Sequence, residues 1–350
     1  MRKLKSVLIV CIYLGMCFTS LNGQSKDNHG NSIQGGVPDY PAGSIFNSVN
    51  VNTGFHTMMT PINQKKKSTE IKVDKQQEDS TIKKEIESLK FKNGGNKSEK
   101  VLNIIADSIL REGLLLYKLE RISWVSTDLI NTFKSNMLLF NGYISFFEGD
   151  SIKTIYYNHD SSGTKIKFDA SINIKDSITE KFVRVKRVDR IPSKQELLLI
   201  ELREEIKTMI AESPSMSENR NKVMPNIDPV IKGDKLYFYV LPGSFEQTSF
   251  YMGGDYIFEF TYDKKLLSIH PQHKSLLRFH TLENTKIITS FHTHLTEYSE
   301  FITATDICQA KLYGKLTIGV TNYVVNSAVY SSDYNTETDQ LIITDNHKKK

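Results

Sequence analysis

Two histidines and one carboxylate near the C-terminus have the residue types and spacing of a metal site. His292 and His294 lie in Ser290-Phe-His-Thr-His294, after an apolar run. In a β-strand, residues two apart project from the same face, so both imidazoles can reach one ion. Asp306 follows twelve residues after His294. Two histidines and a carboxylate, with a fourth position open, form the ligand set of a catalytic zinc ion, which lowers the pKa of its bound water to about 7.

The histidines of this chain are concentrated in one stretch. Five of the nine fall within 25 residues: His270, His273, His280, His292 and His294. His270-Pro-Gln-His273 is a weaker candidate for a second metal site, because the proline disfavours a helix at His270 and the two rings need not share a face. Taken singly, a His-x-His pair can be an ordinary core or surface pair. Thr303-Ala-Thr-Asp306 can equally be an ordinary helix N-terminus, with Thr as the cap.

Together, these residues resemble the motif of the JAB/JAMM (MPN+) zinc metalloproteases. That family has a Glu upstream, then His-x-His, seven residues, Ser, two residues and Asp. Here His292-Thr-His294 is followed by eight residues and then by Thr303-Ala-Thr-Asp306, so the loop is one residue longer and Thr303 replaces Ser. Leu295 stands where the family usually has Pro. Glu246, 46 residues before His292, fits the upstream Glu; Glu259 is the competing candidate. The resemblance covers about residues 228–345.

The resemblance implies a zinc-dependent hydrolase of peptide or isopeptide bonds, and the pattern of the N-terminus adds the expectation that it is exported. It implies that His292, His294 and Asp306 bind the zinc ion. Glu246 would accept a proton from the water and deliver it to the leaving amine, and Thr303 would stabilise the oxyanion. The partner is then a protein or peptide substrate.

Two other functions remain open on the sequence alone. The same fold could serve as a catalytically degenerate binding or scaffolding module at the cell envelope. Alternatively, an N-terminal domain does the work and the histidines are incidental. The oligomeric state does not follow from the sequence.

An α+β fold of two small domains is expected to position these residues. The C-terminal domain, 228–345, is expected to be a JAB/JAMM-like mixed sheet with flanking helices. Its predicted strands lie near residues 235–241, 250–262, 286–291, 316–325, 328–330 and 341–344, and its predicted helix covers 303–313. Cys308, within that helix, is expected to be a small buried hydrophobe.

The domain predicted at 101–213 combines helices with an antiparallel meander, and its role does not follow from the sequence. Apolar residues at helical spacing predict a helix over about 100–120, with Trp124 following it as a core anchor. Three alternating runs predict strands at 139–147, 153–157 and 165–173. Ser193-Lys-Gln-Glu196 is a capping box for a helix over 197–210. Residues 214–227 are expected to be a linker.

The N-terminus has the pattern of a secretory signal. Arg2, Lys3 and Lys5 precede an apolar run too short for a comfortable membrane span, which predicts a signal peptide at 1–23 and no stable span after its removal. Export ends in the periplasm, at the cell surface or outside the cell. Residues 24–100 are polar and expected to be a mostly disordered leader, and 346–350 form a basic tail.

The net charge of the chain argues against a nucleic-acid partner. The chain carries 45 Lys and Arg against 40 Asp and Glu, or +5. Removing three basic residues with the signal leaves 42 against 40, or +2. A balance so close to neutral gives no electrostatic basis for wrapping nucleic acid.

Overall fold

The computed structural model describes residues 97–133, 140–161, 163–216, 223–243, 249–280, 289–313 and 320–348. The predicted signal peptide, the leader up to residue 96 and Glu246 lie outside the described residues. All of the described residues belong to one compact unit. None of the described helices has the length and apolar character needed to cross a membrane.

Helix α1 (Glu99–Thr132) is twelve residues longer at its C-terminal end than the sequence pattern predicted. It begins inside the predicted leader, where Ser98 caps it by accepting a hydrogen bond from the backbone of Val101. Trp124 therefore lies in the helix rather than after it. The helix continues because buried residues recur at helical spacing beyond residue 120. Trp124 packs edge-on against Tyr313, with ring centroids 5.0 Å apart.

The predicted meander is a four-stranded antiparallel sheet. Its strands are β1 (Gly142–Glu148), β2 (Ser151–Asp160), β3 (Gly163–Asn173) and β4 (Arg184–Arg190), paired in that order. The sequence did not predict β4, because its only apolar residues are two valines among charged residues. Helix α2 (Lys194–Glu212) follows, and the Ser193–Glu196 capping box is confirmed.

Six strands make up a second sheet and a separate pair. They are β5 (Pro225–Lys232), β6 (Lys235–Pro242), β7 (Ser249–Gly253), β8 (Tyr256–Thr261), β9 (Leu266–Pro271) and β10 (Leu276–His280). The sheet has the order β5-β6-β8-β9, and β7 pairs with β10. The single strand predicted at 250–262 is wrong. Gly253 and Gly254, with φ of 76° and 64°, turn the chain between β7 and β8. Strand β5 begins inside the stretch expected to be a linker.

The third sheet carries the His-x-His pair. Its strands are β11 (Thr289–Thr293), β12 (Asn322–Asn326), β13 (Tyr330–Asn335) and β14 (Gln340–Asp345). They pair in that order; β11 and β12 are parallel and the other pairs antiparallel. Helix α3 (Ala304–Gln309) lies between β11 and β12 in the chain, and a π-helical turn at 310–313 continues it. A strand was predicted at 328–330, but β13 begins at Tyr330 and continues to Asn335. It continues because the side chains of Ser332 and Tyr334 point inward, as that of Tyr330 does.

A short C-terminal helix and a shared apolar core complete the α+β fold. Residues of the expected tail form a 3-10 helix (Asn346–Lys348). One apolar core joins Ile144 and Phe146 of β1 with Phe238 of β6. Both predicted domains contribute to this core, and the division into two domains stays a prediction.

Candidate metal centre

Strand β11 positions the two histidines of the His-x-His pair. The side chain of Ser290 points inward, as does that of His292, which is 3% exposed. His292 is paired with Val325 in the parallel β12. His294 lies just past the strand, where its backbone N–H donates to the carbonyl of Asn326 at 2.8 Å. The two Nε2 atoms are 3.1 Å apart. The prediction that both imidazoles reach one point is confirmed.

Asp306 reaches the same point from helix α3. Its Oδ2 accepts hydrogen bonds from the backbone N–H of Thr303 at 2.9 Å and from the Thr303 hydroxyl at 2.8 Å, which completes a capping box. The same oxygen is 3.3 Å from His294 Nε2, and Oδ1 is 3.5 Å from His292 Nε2. The local structure follows from the sequence, because Thr and Asp three residues apart are typical of a helix N-terminus.

A third histidine, His273, completes the group. Its Nε2 lies 2.8 Å from His294 Nε2 and 3.2 Å from Asp306 Oδ1. His273 comes from the connection between β9 and β10, and its side chain is 8% exposed. His270, which the sequence paired with it, is exposed in β9. In the sequence, His273 was indicated only by the crowding of five histidines and by its spacing from His270.

Hydrogen bonds orient two of the imidazoles. His294 Nδ1 is 2.7 Å from the carbonyl oxygen of Phe301. A carbonyl only accepts, so Nδ1 carries the proton and Nε2 presents a lone pair to the centre. His273 Nδ1 donates to Asp255 Oδ1 at 2.6 Å, which turns the Nε2 atom of this ring toward the centre. Such outer contacts are typical of histidines that bind metals. His292 Nδ1 has no hydrogen-bond partner among the described residues.

Charge at the centre favours a cation. Burial alone lowers the pKa of His273, but the carboxylates of Asp255 and Asp306 outweigh it and raise that pKa well above its usual range. Burial lowers the pKa of His292 despite the nearby carboxylate. Burial alone would raise the pKa of Asp306, whereas the three imidazoles lower it well below its usual range. A neutral His292 and an ionised Asp306 are the protonation states that a metal requires of its ligands.

The four side chains fit a metal ion. Their ligand atoms all lie within 4.8 Å of one another. Around a metal with ligands at 2.0–2.1 Å, neighbouring ligand atoms are about 2.9 Å apart at a right angle and about 3.4 Å apart at a tetrahedral angle. In five of the six pairs among these residues, the ligand atoms are 2.8–3.5 Å apart, which matches these spacings. Asp306 Oδ1 is buried and has no hydrogen-bond partner in the described part of the chain. This group can therefore hold a metal ion.

The predicted proton acceptor and the predicted oxyanion donor do not join the metal group in the described part of the chain. Glu246 lies outside the described residues. Glu259 pairs with Lys235 and accepts a hydrogen bond from Ser268 at 3.2 Å, so its contacts lie away from the metal group. The Thr303 hydroxyl is engaged by Asp306 and lies 2.8 Å from that of Thr305. Cys308 is buried, as expected.

Comparison with known proteins gave no relative. The chain matches no protein-family model, no curated protein and no solved structure.

Proposed function

We propose that the chain is an exported, zinc-dependent hydrolase of peptide or isopeptide bonds with a JAMM-like centre. The observation that carries the proposal is the convergence of His292, His294 and Asp306 from a strand and the following helix, in the order of the JAMM motif. Imidazole and carboxylate ligands suit zinc. The basic and apolar pattern of residues 1–23 supports export.

Each residue of the centre has a distinct role in this proposal. His292, His294 and Asp306 hold the metal. When bound, zinc supplies a water of lowered pKa and polarises the carbonyl to be cleaved. Glu246 is the proposed proton acceptor and later donor. The contacts of Thr303 support a role in positioning Asp306, and its proposed oxyanion role requires the hydroxyl to turn away from that carboxylate.

One observation favours a second candidate, a non-catalytic zinc module used for binding or scaffolding. Catalytic zinc sites keep one position open, whereas structural sites have four protein ligands. His273 lies at ligand spacing from His294 and Asp306, so the centre offers four. A zinc ion with four protein ligands would stabilise the fold without taking part in hydrolysis.

Metal content tests both candidates. We expect the mature chain, starting at residue 24, to contain about one zinc per molecule by mass spectrometry and to lose it in His292→Ala. His270→Ala, which removes an exposed imidazole, is the matched control and should retain zinc. A wild-type protein without metal whose melting temperature does not respond to added zinc would rule out both.

Hydrolysis separates the two candidates. Fluorogenic peptides and ε-linked isopeptides are the probes. We expect Glu246→Gln to retain zinc and to lose at least 100-fold in turnover, because a positioned proton acceptor contributes about 10²–10⁴-fold. Unchanged turnover in Glu246→Gln would mean that another residue is the proton acceptor. Zinc at full occupancy without hydrolysis would favour the binding module.

A further inference from the structure

We infer that His273 is a fourth protein ligand of the metal, positioned by Asp255, and that it closes the centre until it is displaced. The inference rests on the proposed function, because closure matters only if the metal takes part in hydrolysis. The JAMM-like motif contains neither residue. We call Asp255 and His273 together the closing arm.

The distances distinguish a ligand from a proton acceptor at this position. A base that reaches the metal through a water must lie about 2.6–3.2 Å beyond that water. Its nitrogen would then be roughly 4 Å or more from the other ligand atoms. His273 Nε2 is instead 2.8 Å from His294 Nε2 and 3.2 Å from Asp306 Oδ1. His273 therefore belongs to the coordination shell.

Asp255 fixes the His273 ring in the ligand orientation. Asp255 is 1% exposed, and its Oδ1 accepts the Nδ1 proton of His273. Its Oδ2 accepts a hydrogen bond from the Thr305 hydroxyl of helix α3. A carboxylate behind a metal-bound histidine fixes the tautomer and raises the basicity of the ligand. The closing arm is thus linked to the helix that carries Asp306.

The backbone brings the two residues of the arm together. Gly253 and Gly254 adopt positive φ, which lets the chain turn directly before Asp255. A Cβ on Gly253 would lie 2.2 Å from the Ser275 carbonyl oxygen and 3.2 Å from His273 Cβ. The backbone N–H of Gln272 donates to the carbonyl of Asp255 at 3.0 Å. This packing holds the β9–β10 connection against the turn.

The position of the arm in the chain determines what closure means for function. His292, His294 and Asp306 come from β11 and α3, whereas His273 comes from a different connection. Displacing His273 therefore opens one coordination position while the other three ligands stay on their own elements. A tetrahedral zinc ion with four protein ligands has no position for water or substrate, so hydrolysis requires that displacement.

X-ray absorption spectroscopy on the zinc-loaded mature chain tests the assignment. We expect three imidazoles in the wild type and in the control His270→Ala, and two in His273→Ala, with a solvent oxygen in place of the third. On the cobalt-substituted proteins, azide should change the visible spectrum of His273→Ala and leave the wild type unchanged. Two imidazoles in the wild type, or three in His273→Ala, would overturn the inference.

Asp255→Asn gives a milder test should His273→Ala fail to fold. We expect its zinc affinity to fall about 10–100-fold, the usual effect of losing an outer carboxylate. Asp234→Asn, in the exposed β5–β6 turn, should bind zinc as the wild type does. Equal affinity in Asp255→Asn and the wild type would contradict the role given to Asp255.

Peptide hydrolysis distinguishes failure of this inference from failure of the proposed function. Two imidazoles in an active wild type would contradict the role of His273 as a ligand and would still support the hydrolase. Three imidazoles in the wild type, with no hydrolysis by the wild type or by His273→Ala, would support His273 as a ligand and contradict the hydrolase. Three imidazoles in the wild type, with turnover higher in His273→Ala, would support both.

Discussion

Thr303 shows how one side chain can both cap a helix and orient a candidate metal ligand. Its hydroxyl accepts the backbone N–H of Asp306 at 3.1 Å and donates to Oδ2 of the same residue. The first contact caps helix α3, and the second holds the carboxylate with Oδ1 facing His273 and His292. Capping and ligand orientation are therefore a single arrangement.

Thr303→Val should weaken zinc binding, whereas Thr303→Ser should not. Valine keeps the shape but lacks the hydroxyl, so α3 loses a cap worth about 0.5–2 kcal/mol and Asp306 loses an orienting donor. We expect zinc affinity to fall about 10–100-fold in a chelator competition titration. Ser98→Ala is the control, because it removes the cap of α1 and should lower stability without changing zinc affinity. Wild-type zinc affinity in Thr303→Val would show that the hydroxyl does not orient the ligand.

Three of the four side chains that could hold a metal ion were predicted from the sequence, because their positions follow from local structure. His292 and His294 are related by strand geometry, and Asp306 is tied to a helix start by its own motif. His273 joins the group only through a turn at Gly253 and Gly254, a hydrogen bond to Asp255 and a connection of four residues. Nothing in His270-Pro-Gln-His273 indicates which ring turns inward, because that depends on tertiary packing.

Helix α1 supports the candidate metal centre through close contact with α3. A Cβ on Gly113 would lie 2.4 Å from Ile307 Cβ and 2.9 Å from the Ala304 carbonyl oxygen. Ile307 follows Asp306 directly, so the absence of a side chain at Gly113 sets how near α3, and with it the ligand, can lie to α1. The position of Asp306 thus depends on a contact with a helix nearly 200 residues earlier in the chain.

Gly113→Ala should destabilise the protein although alanine is the better helix former. Alanine gains about 1 kcal/mol of helix propensity, while an overpacked contact costs up to about 3 kcal/mol. We expect a net loss of about 2 kcal/mol in denaturant unfolding, together with weaker zinc binding. Asn103→Ala, at an exposed position of α1, should be neutral or slightly stabilising. A more stable Gly113→Ala protein would show that α3 can move away at little cost.

The elements best predicted from the sequence are those whose patterns are local. The capping box before α2 and the alternating strands β1–β3 are examples. Strand β4 was missed because it exposes charged residues on a sheet edge, where alternation of polarity is weak. The single strand predicted at 250–262 was wrong because the apolar run is continuous across a turn that two glycines make possible.

At the scale of the whole molecule, a buried acidic pair links α1 to the second sheet. Glu120 and Asp228 are each 1% exposed, and their charges interact in the core. Burial, and then the charge of Asp228, raise the pKa of Glu120 well above its usual range, and burial raises that of Asp228 to about 6. Asn226 donates to Glu120 Oε2 at 2.7 Å, and the charge of Arg203 opposes both shifts. Neither the composition nor the spacing of acidic residues indicated this pair.

Glu120→Gln should stabilise the protein increasingly as pH rises. Glu120 keeps its proton in the folded state, while the unfolded chain releases it near pH 4.5, so the wild type loses stability as pH rises from there through the raised pKa. Glutamine keeps an oxygen that accepts from Asn226 and does not titrate. We expect the two proteins to be similar at pH 4 and to diverge by about 1.4 kcal/mol per pH unit above 4.5 until the folded-state pKa is reached. Urea unfolding at each pH measures the difference, and Glu205→Gln, which is exposed, should show no such divergence. A difference that is constant with pH would mean that Glu120 is ionised in the folded core.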